Sequence, residues 1–236
     1  MRNFFRVILQ LVLVVLLSAA TFGAFWFGLV PQRFSPFAPV SLEQPPGWFL
    51  DPKLAALRND PALCQSVLKA PHIDATPVTD QPVKNGCGWT NSVKFSMAGG
   101  ARLGVEPITC EMAAAVTLWI EHEVQPAAVA AFGKRVTAID DMGTFDCRNI
   151  VGNAMWRDVR SQHASANALD IAGFTLDDGR KISVLKDWPA KGPEAVFLRT
   201  IKGRSCGYFR VSLGPDFNAA HKNHFHLDRG PMWTCR

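Results

Sequence analysis

The chain has 236 residues, of which 48% are hydrophobic and 19% charged. It is therefore too apolar and too varied in composition to be a disordered or fibrous protein. The formal net charge is +5, and because no run of Lys and Arg occurs anywhere, nucleic acid is excluded as a partner.

The chain begins with an apolar segment that follows two basic residues, Arg2 and Arg6. Residues 7–30 include one Gln, two hydroxylated residues and no charge. About 20 helical residues cross a bilayer, so residues 1–30 are predicted to form a transmembrane signal anchor. Positive charge before the segment predicts a single-pass inner-membrane protein whose body lies in the periplasm. The alternative is a signal peptide cleaved near residues 18–20, which would export the same body.

A proline-rich stretch follows the anchor. Residues 31–50 contain five prolines and show no apolar periodicity. Such a sequence favours extended, semi-rigid backbone, so this stretch is predicted to be a linker between membrane and domain. No second linker appears, and residues 51–236 are predicted to form one domain.

The number and positions of the cysteines are consistent with export of the body of the protein. All six lie beyond the anchor and none forms a C-x-x-C pair, so three structural disulfides in an oxidising compartment are expected. The residues are Cys64, Cys87, Cys110, Cys147, Cys206 and Cys235. Six cysteines allow fifteen connectivities. The pairing favoured here is Cys64–Cys87, Cys147–Cys206 and Cys110–Cys235.

Short helices and strands are predicted along the exported body. Helices are expected over residues 51–68, 109–124 and 193–202, and strands over 134–139, 168–174, 181–185, 209–213 and 225–228. Thr109 is placed to cap the central helix and Pro126 to end it, so His122 would lie at the end of a packed or solvated helix. Strands that cluster apart from helices predict an α+β fold with a largely antiparallel, disulfide-stapled sheet.

The first segment that contains candidate metal-binding or catalytic residues is residues 161–170. His163 and Asp170 are seven residues apart, which on one helix means about 10.5 Å of rise, too far for two ligands of one metal ion. His163 is therefore expected to come from a turn that folds over the strand bearing Asp170. On that strand, Ala168 and Ala172 flank the carboxylate on one face, and the alternate residues are apolar.

The second segment contains three histidines within six residues. His224 and His226 are two apart on a predicted strand, so both side chains project into one cavity, about 6.6–6.8 Å apart. This spacing favours one of them as a metal ligand and the other beside it. His221 is a loop residue that either supports the site or is solvated. Asp228 either orients a ligand histidine or is an exposed strand end.

Two histidines and one aspartate, with a fourth position open, are the composition of a catalytic zinc site. Such a site polarises a carbonyl and activates water, and a neighbouring imidazole can take the proton of that water. The reaction expected from this composition is amide hydrolysis. The alternative is a set of packed or surface histidines near an ordinary carboxylate, which would leave a buried Asp unpaired.

At these residues the sequence resembles the LAS metallopeptidases, which include D-Ala-D-Ala carboxypeptidases and penicillin-insensitive murein endopeptidases. Their pattern is S-x-H-x-x-G-x-A-x-D followed downstream by H-x-H. The region from Cys147 to Cys235 is more closely similar to the bacterial extensin-like C-terminal domain. The likeness lies in C-R-N-I from Cys147, H-A-S-A-N-A-L-D-I-A-G-F from His163, D-G-R from Asp178, L-G-P-D-F-N from Leu213 and H-x-x-H-F-H from His221.

The resemblance implies a role for each residue of the two segments. It places Zn²⁺ on His163, Asp170 and His226. It makes His224 the catalytic imidazole and His221 a further active-site histidine.

The resemblance also implies substrate contacts and marks two departures from the LAS pattern. Ser161 would lie near substrate, or else stabilise the turn with its hydroxyl. Arg148 and Arg160 are candidates to hold a peptide carboxylate, or else are ordinary surface residues. Ala166 replaces the motif glycine, so the turn is expected to do without a positive φ there. Asn223 stands where the D-Ala-D-Ala dipeptidases have a glutamate base.

The sequence therefore predicts a membrane-anchored zinc metallopeptidase that hydrolyses peptide bonds in peptidoglycan stem peptides or crosslinks. The alternative function is a non-catalytic peptidoglycan-binding or scaffold domain with a structural zinc ion.

Overall fold

The computed structural model describes residues 2–152 and 154–236. It begins with helix α1, Arg2–Trp26, whose apolar side chains are largely exposed. Within the described residues it is the one helix that is long and apolar enough to cross a membrane, which is consistent with single-pass anchoring. The stretch that follows does not stand free as a linker, because Val40 and Leu42 are buried in the hydrophobic core.

The body is built on one large mixed sheet. In the described part of the chain nine strands join it, in the order β1-β4-β5-β6-β7-β10-β9-β11 with β8 on β7, while β2 and β3 form a separate hairpin. The pairs are antiparallel except β5–β6 and β9–β11. The strands are β1 Asp74–Pro77, β2 Gln81–Lys84, β3 Cys87–Trp89, β4 Ser92–Ala98, β5 Ala101–Thr109, β6 Val136–Asp141, β7 Ala168–Leu176, β8 Lys181–Ser183, β9 Val211–Leu213, β10 Phe225–Asp228 and β11 Thr234–Cys235.

The helices occur in three groups, one before β1, one between β5 and β6 and one between β8 and β9. They are α2 Leu50–Ala56, α3 Pro61–Val67, α4 Cys110–Trp119, α5 Gln125–Phe132, α6 Val184–Asp187 and α7 Pro193–Ser205. The predicted α+β fold with a largely antiparallel sheet is therefore confirmed.

Helix α4 begins as expected but does not end where the sequence suggested. The Thr109 hydroxyl accepts a hydrogen bond from the Met112 N–H at 3.4 Å and caps the helix. Pro126 does not stop it: a π-helical turn, Ile120–Val124, carries the chain on into α5. Pro126 lies in the first turn of α5, where a backbone N–H is not needed, and the segment ends at Gly133 with φ 65°.

Strand alternation separates the core from the polar residues of β7 and β10. Leu169 and Ile171 of β7 and Phe225 and Leu227 of β10 are fully buried in the hydrophobic cluster. The intervening residues of both strands therefore point to the opposite face, as predicted.

All six cysteines are paired, which confirms three disulfides, but the favoured connectivity is wrong at every pair. The bonds are Cys64–Cys110, Cys87–Cys147 and Cys206–Cys235, with Cα separations of 6.0, 5.5 and 5.8 Å. Packing explains the difference: α3 lies against the start of α4, and the β2–β3 hairpin reaches the loop before the histidine turn.

A buried ion network, here called the arginine cluster, joins α2 and α4 to the end of β10. Its members are Asp51, Arg58, Glu111, Arg210 and Arg229. Arg229 and Glu111 are each 1% exposed, and the Arg229 Nε donates to Glu111 Oε1 at 2.7 Å. Asp51 accepts from Arg229 at 2.7 Å and from Arg210 at 2.8 Å, while Arg58 donates to Glu111 at 2.8 Å. Each buried charge is thus matched by an opposite one.

Candidate metal centre

Three predicted ligands converge on the polar face of the sheet. In the antiparallel pair of β7 and β10, Asp170 lies directly opposite His226. His163 comes from a 3-10 helix, Gln162–Ser165, just before β7, so the expected turn is present. One ligand atom from each of the three buried residues lies within 4.8 Å of the other two.

The distances between the converging atoms suit one small cation. His226 Nδ1 lies 3.0 Å from Asp170 Oδ1, and His163 Nε2 lies 3.2 Å from Asp170 Oδ2. The two ring nitrogens, His163 Nε2 and His226 Nδ1, are 3.2 Å apart. Ligand bonds of about 2.0–2.1 Å at tetrahedral angles place ligand atoms about 3.3 Å from one another. The three side chains therefore lie at separations that suit the ligands of one zinc ion.

Hydrogen bonds behind the rings determine which nitrogens face the centre. His163 Nδ1 donates to the Thr144 carbonyl at 3.1 Å, which leaves a lone pair on Nε2. His226 Nε2 donates to Asp228 Oδ2 at 2.9 Å, so Nδ1, which lies 3.0 Å from Asp170 Oδ1, is the ring atom that faces the other two residues. A cation at this point would take the place of the proton between His226 Nδ1 and the Asp170 carboxylate. Of the two predicted alternatives for Asp228, the structure shows the one in which it orients a histidine ring, that of His226.

The pKa shifts of His226 and Asp170 show that the surroundings favour a positive charge between these two side chains. Burial would lower the pKa of His226, yet its hydrogen bonds with Asp170 and Asp228 raise it to about 9. Burial would raise the pKa of Asp170, but hydrogen bonds from His163 and His226 hold it well below its usual range. Asp170 therefore carries a negative charge over the whole physiological pH range.

Two further histidines lie beside the three ligands, and all five residues are here called the histidine cluster. His224 Nε2 is 3.7 Å from Asp170 Oδ2, and its Nδ1 donates to Asn223 Oδ1 at 3.0 Å. The His221 ring lies 5.2 Å from that of His224, and its Nδ1 donates to Asn218 Oδ1 at 2.7 Å. In both rings Nε2 is therefore free of a proton.

Burial accounts for the titration of these two rings. Burial and the neighbouring imidazoles lower the pKa of His221 to about 4, and burial also lowers the pKa of His224. Both rings are therefore neutral at neutral pH in this environment.

The turn that carries His163 is held by its own side chains and backbone. The Ser161 hydroxyl accepts from the His163 N–H at 3.3 Å, which is the turn-stabilising role of the two considered. Ala166 has φ 53°, so the expectation that this turn would avoid a positive φ is wrong. The Ala166 carbonyl accepts from the Thr109 N–H at 2.9 Å, and this contact fixes the turn on the start of α4.

The two candidate arginines lie outside the ligand set. Arg148 donates to Asp146 at 2.8 Å, and its charge makes a small contribution to the lowered pKa of His221 and His224. Arg160 donates to the Asn85 carbonyl at 2.9 Å and to a side-chain oxygen of Asn149 at 3.0 Å, which ties the β2–β3 hairpin to the loop before the turn.

His122 lies apart from the cluster, within the π-helical turn rather than at the helix end expected for it. Its Nε2 is 3.3 Å from the Leu42 carbonyl.

Sequence reasoning missed the residues that fix the ring tautomers. Thr144 acts through its main-chain carbonyl, which leaves no signal in a sequence. The role of Asn218 could have been predicted from the sequence. An Asn that precedes a short turn commonly accepts a hydrogen bond from the N–H two residues later, as Asn218 does here from Ala220 at 3.0 Å. Asn223 was considered only as a replacement for a glutamate.

Comparison with known proteins points to one family. No curated protein and no solved structure matches the chain significantly. The family described as extensin-like protein C-terminus matches residues 62–236, about three quarters of the chain, and this range contains the whole histidine cluster. The chain therefore belongs to the family of extensin-like protein C-terminal domains.

Proposed function

We propose that this protein is a zinc-dependent peptidase that hydrolyses peptide bonds in peptidoglycan stem peptides or crosslinks. In this proposal α1 anchors it in the inner membrane and the domain lies in the periplasm. The observation that carries the proposal is the convergence of His163 Nε2 and His226 Nδ1, 3.2 Å apart, on the Asp170 carboxylate, whose Oδ2 lies 3.2 Å from His163 and whose Oδ1 lies 3.0 Å from His226. The likeness of both motifs to those of the LAS metallopeptidases supports the substrate class.

The location is supported by charge and by the cysteines. Arg2 and Arg6 precede the apolar helix, which favours a cytoplasmic N-terminus. The three disulfides lie in the body that would then be exported, and such bonds persist in oxidising compartments.

His163, Asp170 and His226 would hold the zinc ion. When bound, zinc supplies Lewis acidity towards the scissile carbonyl and the attacking water. The free Nε2 of His224, held in place by Asn223, takes the proton of that water and returns it to the leaving amine. His221 presents an acceptor at Nε2, which suits an N–H of the substrate peptide.

The test is digestion of purified sacculi by the full-length protein, with zinc and with a chelator, followed by mass spectrometry of the muropeptides. New products are expected only with zinc, and their masses identify the bond that is cut. His224→Ala should abolish the products yet keep the zinc content of the wild type. A zinc-loaded protein that releases nothing would favour the non-catalytic domain, and a protein that purifies without zinc would refute both functions.

A further inference from the structure

Aromatic side chains gather where α1 meets the body of the protein, and they are here called the aromatic collar. Its members are Phe22, Trp26, Phe27, Phe34, Phe37 and Trp48. Trp26, Phe27, Phe37 and Trp48 are between 61% and 78% exposed. Exposed aromatic residues that form a contiguous patch indicate a surface that is covered by a partner.

The collar lies at the depth where a bilayer ends. Hydrocarbon about 30 Å thick takes about 20 helical residues at 1.5 Å each, and 20 residues after Arg6 the chain reaches Trp26. Trp and other amphipathic rings are enriched at this boundary between hydrocarbon and headgroups. With Arg6 at the inner surface, the last turn of α1 lies at the outer one.

The chain then folds back onto α1 at this same depth. The ring of Phe37 lies 5.8 Å from that of Phe22 and 6.5 Å from that of Phe25, both edge-to-face. The segment of residues 27–37 therefore does not lead away from the helix end. It returns to it and widens the aromatic surface.

The same segment is fastened to the domain. The Gln32 carbonyl accepts from Lys53 Nζ at 2.9 Å, and the Phe34 ring lies 5.3 Å from that of Trp48. Gly47 packs directly on the Arg33 carbonyl and leaves no room for a side chain. Since Val40 and Leu42 are also buried in the core, the anchor and the domain are joined by a packed segment rather than by a free linker.

We propose that the aromatic collar lies in the headgroup region of the outer leaflet of the membrane that α1 crosses, and that it holds the domain directly on the membrane surface. Continuity with α1 identifies the lipid surface as the partner, because the exposed rings begin within the last turn of the membrane-spanning helix. This inference rests on the part of the proposed function that makes α1 a retained anchor. It does not depend on catalysis.

The test uses the full-length protein reconstituted into phosphatidylethanolamine–phosphatidylglycerol vesicles that contain lipids brominated near the headgroup end of the acyl chains. Bromine quenches nearby indoles, and Trp26 and Trp48 are the expected targets. Trp48→Phe should remove about half of the quenched intensity, since one of the two interfacial indoles is lost. Trp156→Phe, which removes a 39% exposed indole on the loop before the histidine turn, should leave it unchanged.

Trp48→Phe without an effect on quenching would overturn the proposal, and it would point to a second copy or another protein as the cover of the collar. An equal loss in Trp156→Phe would also overturn it, because the whole domain would then adsorb to lipid. Flotation of each variant with the vesicles measures separately whether α1 anchors the protein. A wild-type chain that fails to float would refute both the retained anchor and the position of the aromatic collar at the membrane. Zinc content and muropeptide release are measured on the same samples, so failure of the peptidase assignment is distinguishable.

Discussion

The two charged clusters of this protein meet on the chain segment from His226 to Arg229, yet they are built differently. In the arginine cluster the charges alternate, and Arg229 lies between Glu111 and Asp51 at 2.7 Å from each. In the histidine cluster, which the chain reaches three residues earlier at His226, ring nitrogens face each other across 3.2 Å with a carboxylate beside them. The charges of the arginine cluster pair with one another, whereas the side chains of the histidine cluster are arranged as a cation site would require.

The largest effect is expected from Asp170→Asn, which removes the anionic member of the ligand set but keeps its shape. Zinc content should fall from one ion per chain towards none. Turnover should drop by roughly three orders of magnitude or more, because several kcal/mol of Lewis-acid stabilisation are lost. Plasma mass spectrometry and muropeptide release measure the two quantities.

The control for this variant is unfolding by urea in a chelator, where Asp170→Asn should still be folded, although loss of the carboxylate that pairs with His163 and His226 should lower its free energy of unfolding. If the variant retained zinc and activity, the three residues would not be the ligand set. If it unfolded in the chelator, the carboxylate would be a structural charge like those of the arginine cluster.

Arg229→Met tests the arginine cluster. It removes the buried partner that Glu111 and Asp51 share. Because Arg58 and Arg210 still pair with these carboxylates, the loss should be at most about 3–5 kcal/mol, which is what an unpaired buried charge costs. Urea unfolding should show this loss, while zinc content per folded chain stays at the wild-type value. Arg204→Met is the matched control: Arg204 is 55% exposed and pairs with Glu123 at the surface, so its removal should cost at most about 1 kcal/mol. Equal losses in the two variants would show that the arginine cluster contributes no more than a surface pair.

Asp228→Asn changes a residue that lies between the histidine cluster and the arginine cluster in the sequence. Asp228 accepts from His226 Nε2 at 2.9 Å and from the Gly230 N–H at 2.8 Å, so it orients the ring without touching the centre. Loss of the charge should weaken zinc binding about 10–100-fold, the usual effect of removing a partner behind a ligand histidine. Competition with a chromophoric chelator measures the affinity. An unchanged affinity would mean that the tautomer of His226 is fixed in another way.

The sequence predicted the fold class and the convergence of His163, Asp170 and His226, but it did not predict the contacts between distant segments. The periodicity of β7 and β10 placed Asp170 and His226 on one face, because alternation within a strand is a local property. The first five strands were not predicted, although β5 alternates Ala101, Leu103 and Val105 inside with polar residues outside. The disulfide partners and the arginine cluster join segments 29–178 residues apart, and no local pattern encodes such contacts.

The smallest effect is expected at Ala166, where the sequence-based expectation was wrong for a physical reason. A left-handed conformation costs an L-residue roughly 1–2 kcal/mol, but the Ala166 side chain is fully buried, and a buried methyl returns about 0.8 kcal/mol. Glycine would also lose more chain entropy on folding, by roughly 0.5–1 kcal/mol. These terms nearly cancel, so Ala166→Gly should change the free energy of unfolding by less than about 1 kcal/mol and leave zinc affinity unchanged.

The matched variant is Gly133→Ala at the end of α5, which has φ 65° and nothing within 4 Å of the added methyl group. Because the backbone strain of an alanine at this positive φ is not offset by burial of its methyl group, Gly133→Ala should destabilise the protein by about 1 kcal/mol. A large loss for Ala166→Gly would show instead that the buried methyl group is what holds the histidine turn on α4. In that case the alanine would be a requirement of this centre rather than a tolerated replacement for glycine.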